Sequence, residues 1–176
     1  HKRHSLISAL AENEALIELQ SCVAEVFAPA VKENFLALGW RLRWEKRLQA
    51  YLDWQRAQEA GGWRWDVAEE RVSRAVPLPD GASIELYGRI DRIDRNVDDE
   101  VGAALFDYKT QSAKVIRDRL KDDVQLPAYA LMHGRAAQAA YVALDDESVA
   151  TVASGDAEGA LAAAAEAQGR RLGQAF

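Results

Sequence analysis

The chain has 176 residues and a formal net charge of −6, with 49% hydrophobic and 28% charged residues. That composition suits a packed core and excludes a disordered chain. The acidity argues against a protein that coats DNA through bulk positive charge, though not against an enzyme with a local basic groove. The lone cysteine, Cys22, rules out an internal disulfide or a cysteine-only metal site, and it fits a reducing, cytoplasmic setting. No apolar run approaches the roughly 20 residues of a transmembrane helix. The first residue is not Met and the last stretch is Ala-rich, so the chain reads like a segment of a longer protein.

Residues 5–28 are expected to be helical, with Leu6, Leu10, Ile17, Cys22 and Phe27 spaced through a polar background. Pro29 is expected to break that helix. Residues 30–60 read as a longer amphipathic helix, interrupted at Gly39 and ended by Gly61-Gly62. On it, Trp40 and Trp44 share a face, beside Arg41, Arg43, Lys46 and Arg47. Those residues suit either stacking on unpaired bases with phosphate contacts, or core packing under a solvated face.

The texture then turns to strands: 66–76, 83–94 and 103–109, with turns at Pro77–Gly81 and an acidic loop from Asn96 to Glu100. Short connections imply an antiparallel meander. Helix follows over 113–133, in one or two pieces, then strands at 138–144 and 148–153 and an Ala-rich helix at 156–170. The expected architecture is α/β, in the order α-β-β-β-α-β. A central mixed sheet of four or five strands is flanked by helices, and the N-terminal helices cover one side. Residues 1–62 form the helical region and 63–176 the core of one compact domain.

The segments Gly88-Arg89-Ile90-Asp91-Arg92-Ile93-Asp94 and Phe106-Asp107-Tyr108-Lys109-Thr110 carry the chemistry. In a strand, residues two apart share a face, so Asp107 and Lys109 emerge together while Phe106 and Tyr108 point away. A neighbouring strand bearing Asp91 brings a second carboxylate near. Two carboxylates about 6 Å apart repel by roughly 3 kcal/mol at an effective dielectric near 20. A divalent cation between them removes that penalty, and oxygen ligands suit Mg²⁺ or Mn²⁺. A lone D-x-K is more often an ordinary ion pair on a solvated strand. Asp94 lies three past Asp91, so a regular strand turns it to the opposite face, where Arg92 or Arg95 is its expected partner.

The order G-x-x-D, loop, D-Y-K-T, then Gln125-Leu126-Pro127-Ala128-Tyr129 resembles the RecB-like branch of the PD-(D/E)XK nuclease superfamily. It looks particularly like the nuclease domains of AddB-type and related recombination exonucleases. The resemblance covers about residues 66–145, with its core at 88–131. It implies a restriction-endonuclease-like fold and Mg²⁺-dependent hydrolysis of DNA, with Mn²⁺ as a substitute. It also implies exonuclease action in DNA repair or recombination, with a helicase domain or subunit as partner.

By the same resemblance, Asp91 and Asp107 are metal ligands, Lys109 is the catalytic lysine, and the main-chain carbonyl of Tyr108 faces the metal. Gln125 and Tyr129 match the helical Q-x-x-x-Y motif and share one helix face, where they reach the lysine or a phosphate. The upstream ligand is expected to be Glu69, with Glu70 and His4 as alternatives. Lys114, Arg117, Arg119 and Lys121 follow the D-Y-K-T strand and suit phosphate contact. His133 is expected to be a surface or capping residue. The alternative to an enzyme is a catalytically inactive relative that binds DNA or a partner.

Overall fold

The computed structural model describes residues 7, 9–77, 81–98, 100–145, 147–153, 167, 169–172 and 174. His4, the centre of the Pro77–Gly81 turn and most of the segment 156–170 lie outside these residues.

Three helices come first: α1 (Glu12–Glu33), α2 (Leu36–Glu45) and α3 (Leu48–Ala60). Glu12 and Glu14 lie in the first turn of α1, where acidic side chains complement the helix dipole. Pro29 does not end this helix, contrary to expectation. It sits on an exposed stretch between Ala28 and Ala30, strong helix formers that carry the chain past the missing amide. The break falls at Asn34, whose backbone is extended and whose Oδ1 accepts from the Leu36 amide. A short amide side chain competes with the helix in this way. Nor does Gly39 interrupt anything, because it lies inside α2. The second break is at Lys46–Arg47, where Arg47 reaches Asp145 at 2.7 Å.

The sheet has five strands in spatial order β1-β2-β3-β4-β5. They are β1 (Trp63–Pro77), β2 (Ser83–Asn96), β3 (Ala103–Lys109), β4 (Ala136–Ala143) and β5 (Ala150–Ala153). The first three form the expected antiparallel meander. β4 runs parallel to β3, and β5 antiparallel to β4. Parallel neighbours need a crossover, supplied here by α4 (Ala113–Arg119), a 3₁₀ turn (Leu120–Asp122) and α5 (Gln125–His133). The expected 113–133 helix is therefore in two pieces.

Helices cover both faces. Ala113 and Ile116 of α4 and Leu126 of α5 pack on Ile90, Ile93, Leu105 and Tyr141. Trp54 of α3 packs on Ala104, Phe106, Ala140 and Val142 across the sheet, with Trp44 and Tyr51 beside it. β3 is buried on both sides from Ala103 to Asp107, which explains its near-continuous apolar run. The result is the α/β architecture with N-terminal helices on one face.

Two irregularities shape the end of the sheet where Asp91 lies. Ile90 and Ile93, three apart, are both in the core under α4 and α5, so β2 changes face between them. Opposite this switch, between the pairs Ala68↔Arg92 and Glu70↔Ile90, lies Glu69 with φ +58°. Glu69 thus sits inside β1. Gly88 is required by close approach: a Cβ there would meet Met132 Cε at 2.8 Å and Tyr129 Cε1 at 2.9 Å.

Candidate active site

Strand β3 ends in Asp107, Tyr108 and Lys109, with α5 crossing one face and α3 the other. Alternation holds here: Tyr108 joins the Trp54 side, while Asp107 and Lys109 face α5. Lys109 Nζ lies 2.6 Å from Asp107 Oδ2. Gln125, the first residue of α5, bridges the two. Its Nε2 donates to Asp107 Oδ1 at 2.8 Å, and its Oε1 accepts from Lys109 Nζ at 3.2 Å. Gln125 Nε2 also lies 2.9 Å from the Tyr129 hydroxyl, one turn along the helix. Asp107, Lys109, Gln125 and Tyr129 therefore form one connected cluster.

Asp91 approaches from β2. Its Oδ2 accepts from the Tyr108 amide at 2.9 Å, beyond the last β2–β3 ladder pair, Arg92↔Phe106. Burial pushes the Asp107 carboxyl above its ordinary value; Lys109 opposes this, while the charges of Asp91 and Asp123 add to it.

Asp94 occupies a different place. It is fully buried and holds Arg92 through two bonds, Arg92 Nε to Oδ1 at 2.6 Å and Nη2 to Oδ2 at 2.7 Å. Arg92 also donates to the hydroxyls of Tyr51 and Tyr108, each at 3.3 Å, and its guanidinium lies over Trp54. Arg92 is thus the expected partner of Asp94.

Glu69 stays apart from this cluster. Its exposed carboxylate pairs with Arg89 at 2.8 Å, although it lines the same cavity as Asp91. Glu70 is exposed on β1. Among the described residues no three Asp, Glu, His or Cys side chains converge as a metal cage.

Two residues absent from the sequence-based set join the cluster. Tyr141 of β4, opposite Asp107 in the parallel register, donates to Asp123 Oδ1 at 2.6 Å and lies 3.2 Å from Gln125 Oε1. Lys109 Nζ sits 5.0 Å from the centre of its ring. The Asp123 carboxylate accepts from the amides of Gln125 and Leu126, fixing the start of α5. An Asp just ahead of a helix is a capping signal in sequence. Tyr141, 18 residues beyond Asp123, carries no such signal.

The basic residues divide. Arg119 lines a cavity of about 600 Å³ with Lys109 and Gln125, but Asp118, Asp122 and Asp123 line it too. Lys114, Arg117 and Lys121 are exposed nearby. On the N-terminal helices, Arg41 pairs with Glu45 and Arg47 with Asp145. Trp40 is exposed, whereas Trp44 packs against the core. His133 ends α5, and its Nδ1 accepts from the Arg135 amide at 3.4 Å.

The donor set fits a hard divalent cation. Asp107 Oδ2 is buried, with the Lys109 ammonium 2.6 Å away. The carboxylates of Asp91 and Asp107 are the ligand type that a hard ion such as Mg²⁺ takes.

Over residues 2–175 the sequence matches the PD-(D/E)XK nuclease superfamily, and the chain belongs to that superfamily. No curated protein matches the sequence significantly. Among solved structures, the chain is similar to one titled "Crystal structure of SSO0001", at 18% identity and a TM-score of 0.41, covering 87% of this chain and 68% of that one. No helix among the described residues is long and apolar enough to cross a membrane.

Proposed function

We propose that the domain hydrolyses DNA phosphodiester bonds with Mg²⁺, Mn²⁺ substituting, as a RecB-like exonuclease of DNA repair or recombination that works with a helicase domain or subunit. The observation that carries this reading is the Asp107–Lys109–Gln125 cluster beside Asp91 at the end of β3. Asp91 and Asp107, with the Tyr108 carbonyl, would hold the cation, and Glu69 would join by leaving Arg89. That exchange is open to it because its side chain is exposed. The chemistry these residues would gain from a cation is polarisation of a phosphate oxygen and a lowered pKa for an attacking water.

The side chains supply the rest. Lys109, partly exposed, presents its ammonium to offset charge developing on the phosphate. Gln125 fixes the orientation of both Asp107 and Lys109, and Tyr129 steadies Gln125. The test is cleavage of end-labelled linear and circular DNA with Mg²⁺ or Mn²⁺, using Lys109→Ala as control. Loss of linear DNA alone supports an exonuclease, and nicking of the circle supports an endonuclease.

A second reading is a catalytically inactive module that binds DNA or a partner. The lack of a three-residue ligand cluster among the described residues favours it. No cleavage in either metal by a folded protein would establish it over the first.

A further inference from the structure

We infer that the cavity between the N-terminal helices and the active end of the sheet binds a nucleobase of the DNA strand, next to the phosphate being cut. This rests on the nuclease reading and adds a base-binding site to it. The cavity measures about 470 Å³, within the range of small-molecule sites. Leu19 and Val23 of α1, Trp44 of α2 and Tyr51 of α3 line it. An apolar lining with aromatic rings suits a flat heterocycle, because every base has a π-face that stacks without regard to sequence.

The cavity is also lined by Asp91 and Tyr108 of the sheet, by Glu69 of β1 and by Thr110 just past β3. Asp91 is a proposed metal ligand and lines this cavity, so a phosphate at that metal puts the adjoining nucleotide beside it. Leu19, Val23, Leu48 and Leu144 offer a phosphate no polar partner but can pack against a base. The apolar lining therefore favours the base, not the backbone, as occupant.

A second observation points the same way. Glu69 is the only non-glycine residue with positive φ among the described residues, and it lines this cavity. Such conformations persist where the surrounding structure enforces them, and they cluster at ligand sites. The Tyr51 hydroxyl is tied to that of Tyr108 at 3.1 Å, so the ring is held in place before any ligand arrives.

The test uses single-stranded oligonucleotides with 2-aminopurine at each position in turn, in Ca²⁺ to hold substrate without turnover. One position should change fluorescence on binding to the wild-type protein. Val23→Trp, which fills the cavity, should remove that change and weaken oligonucleotide binding by about tenfold to a hundredfold, the loss of one stacked base. Trp44→Leu, which keeps apolar bulk but removes a stacking face, should do the same and covers the case where Val23→Trp fails to fold. No responsive position, or a response unchanged in both folded variants, would overturn the proposal. Mn²⁺ titration without DNA reports on the nuclease reading separately, so failure of either claim is recognised on its own.

Discussion

Asp91 and Asp94 lie three residues apart on β2, and alanine at each should produce opposite losses. Asp94 is fully buried and bound to Arg92, itself 2% exposed, through contacts of 2.6 and 2.7 Å. Burial works against both charges, raising the Asp94 carboxyl above its ordinary value, but two charge-assisted bonds hold the pair ionised. Among the described residues, Asp94→Ala leaves buried Arg92 with two tyrosine hydroxyls and aromatic rings as its partners. Breaking a buried pair from one side costs about 3–5 kcal/mol. At about 2–4 °C per kcal/mol for a domain of this size, Tm should fall by roughly 6–20 °C. The Arg92→Leu/Asp94→Leu double variant should be more stable than Asp94→Ala, since no unpaired charge remains.

Asp91→Ala forfeits one hydrogen bond at a half-buried position, about 1–2 kcal/mol, but should lose Mn²⁺ affinity. Circular dichroism melts and Mn²⁺ titration of the folded proteins separate the two residues. A loss below about 1 kcal/mol for Asp94→Ala would match an exposed ion pair and refute the reasoning. So would lost Mn²⁺ affinity in folded Asp94→Ala with affinity retained in Asp91→Ala.

Three further outcomes are expected. Tyr141→Phe removes the bonds to Asp123 and Gln125 while keeping the ring under Lys109; cleavage should slow by about tenfold with Mn²⁺ affinity unchanged, as steady-state rates and titration would report. Gly88→Ala forces its Cβ against Met132, which can move, and the Tyr129 ring, which has less freedom; a loss of about 1–3 kcal/mol should appear in urea melts, with reduced activity as Tyr129 shifts from Gln125. His133 is held below its ordinary value of 6.5 by burial and by the charge of Arg135. The unfolded chain therefore takes up that proton at a higher pH than the folded one. Stability should fall as pH drops from 6.5 toward the lower folded value, and His133→Gln should flatten that slope in melts across the window.

Much of this arrangement was legible in local pattern. The alternation of Phe106 and Tyr108 against Asp107 and Lys109 follows from strand geometry alone, as does the pairing of Gln125 with Tyr129 from helix geometry. The breaks in the N-terminal helices were not. Pro29 and Gly39 are strong local signals, yet the chain bends at Asn34, where a side-chain hydrogen bond decides. The change of face in β2 was also hidden, because it depends on what packs against Ile90 and Ile93. Tyr141 could not be found from sequence, since its role arises only when the parallel register sets it opposite Asp107. The Glu69 carboxylate shows the remaining limit of pattern: its position beside Asp91 on the next strand is clear, but its pairing with Arg89 is a tertiary choice.

We propose that Asp107 is the carboxylate that couples metal binding to cleavage. Mn²⁺ titration of the wild type and of Asp107→Ala, each followed by incubation with linear DNA, tests it most directly. The wild type should bind Mn²⁺ and degrade the DNA, and folded Asp107→Ala should do neither. Cleavage that persists in Asp107→Ala, or a folded wild type that neither binds Mn²⁺ nor cuts in Mg²⁺ or Mn²⁺, would contradict it.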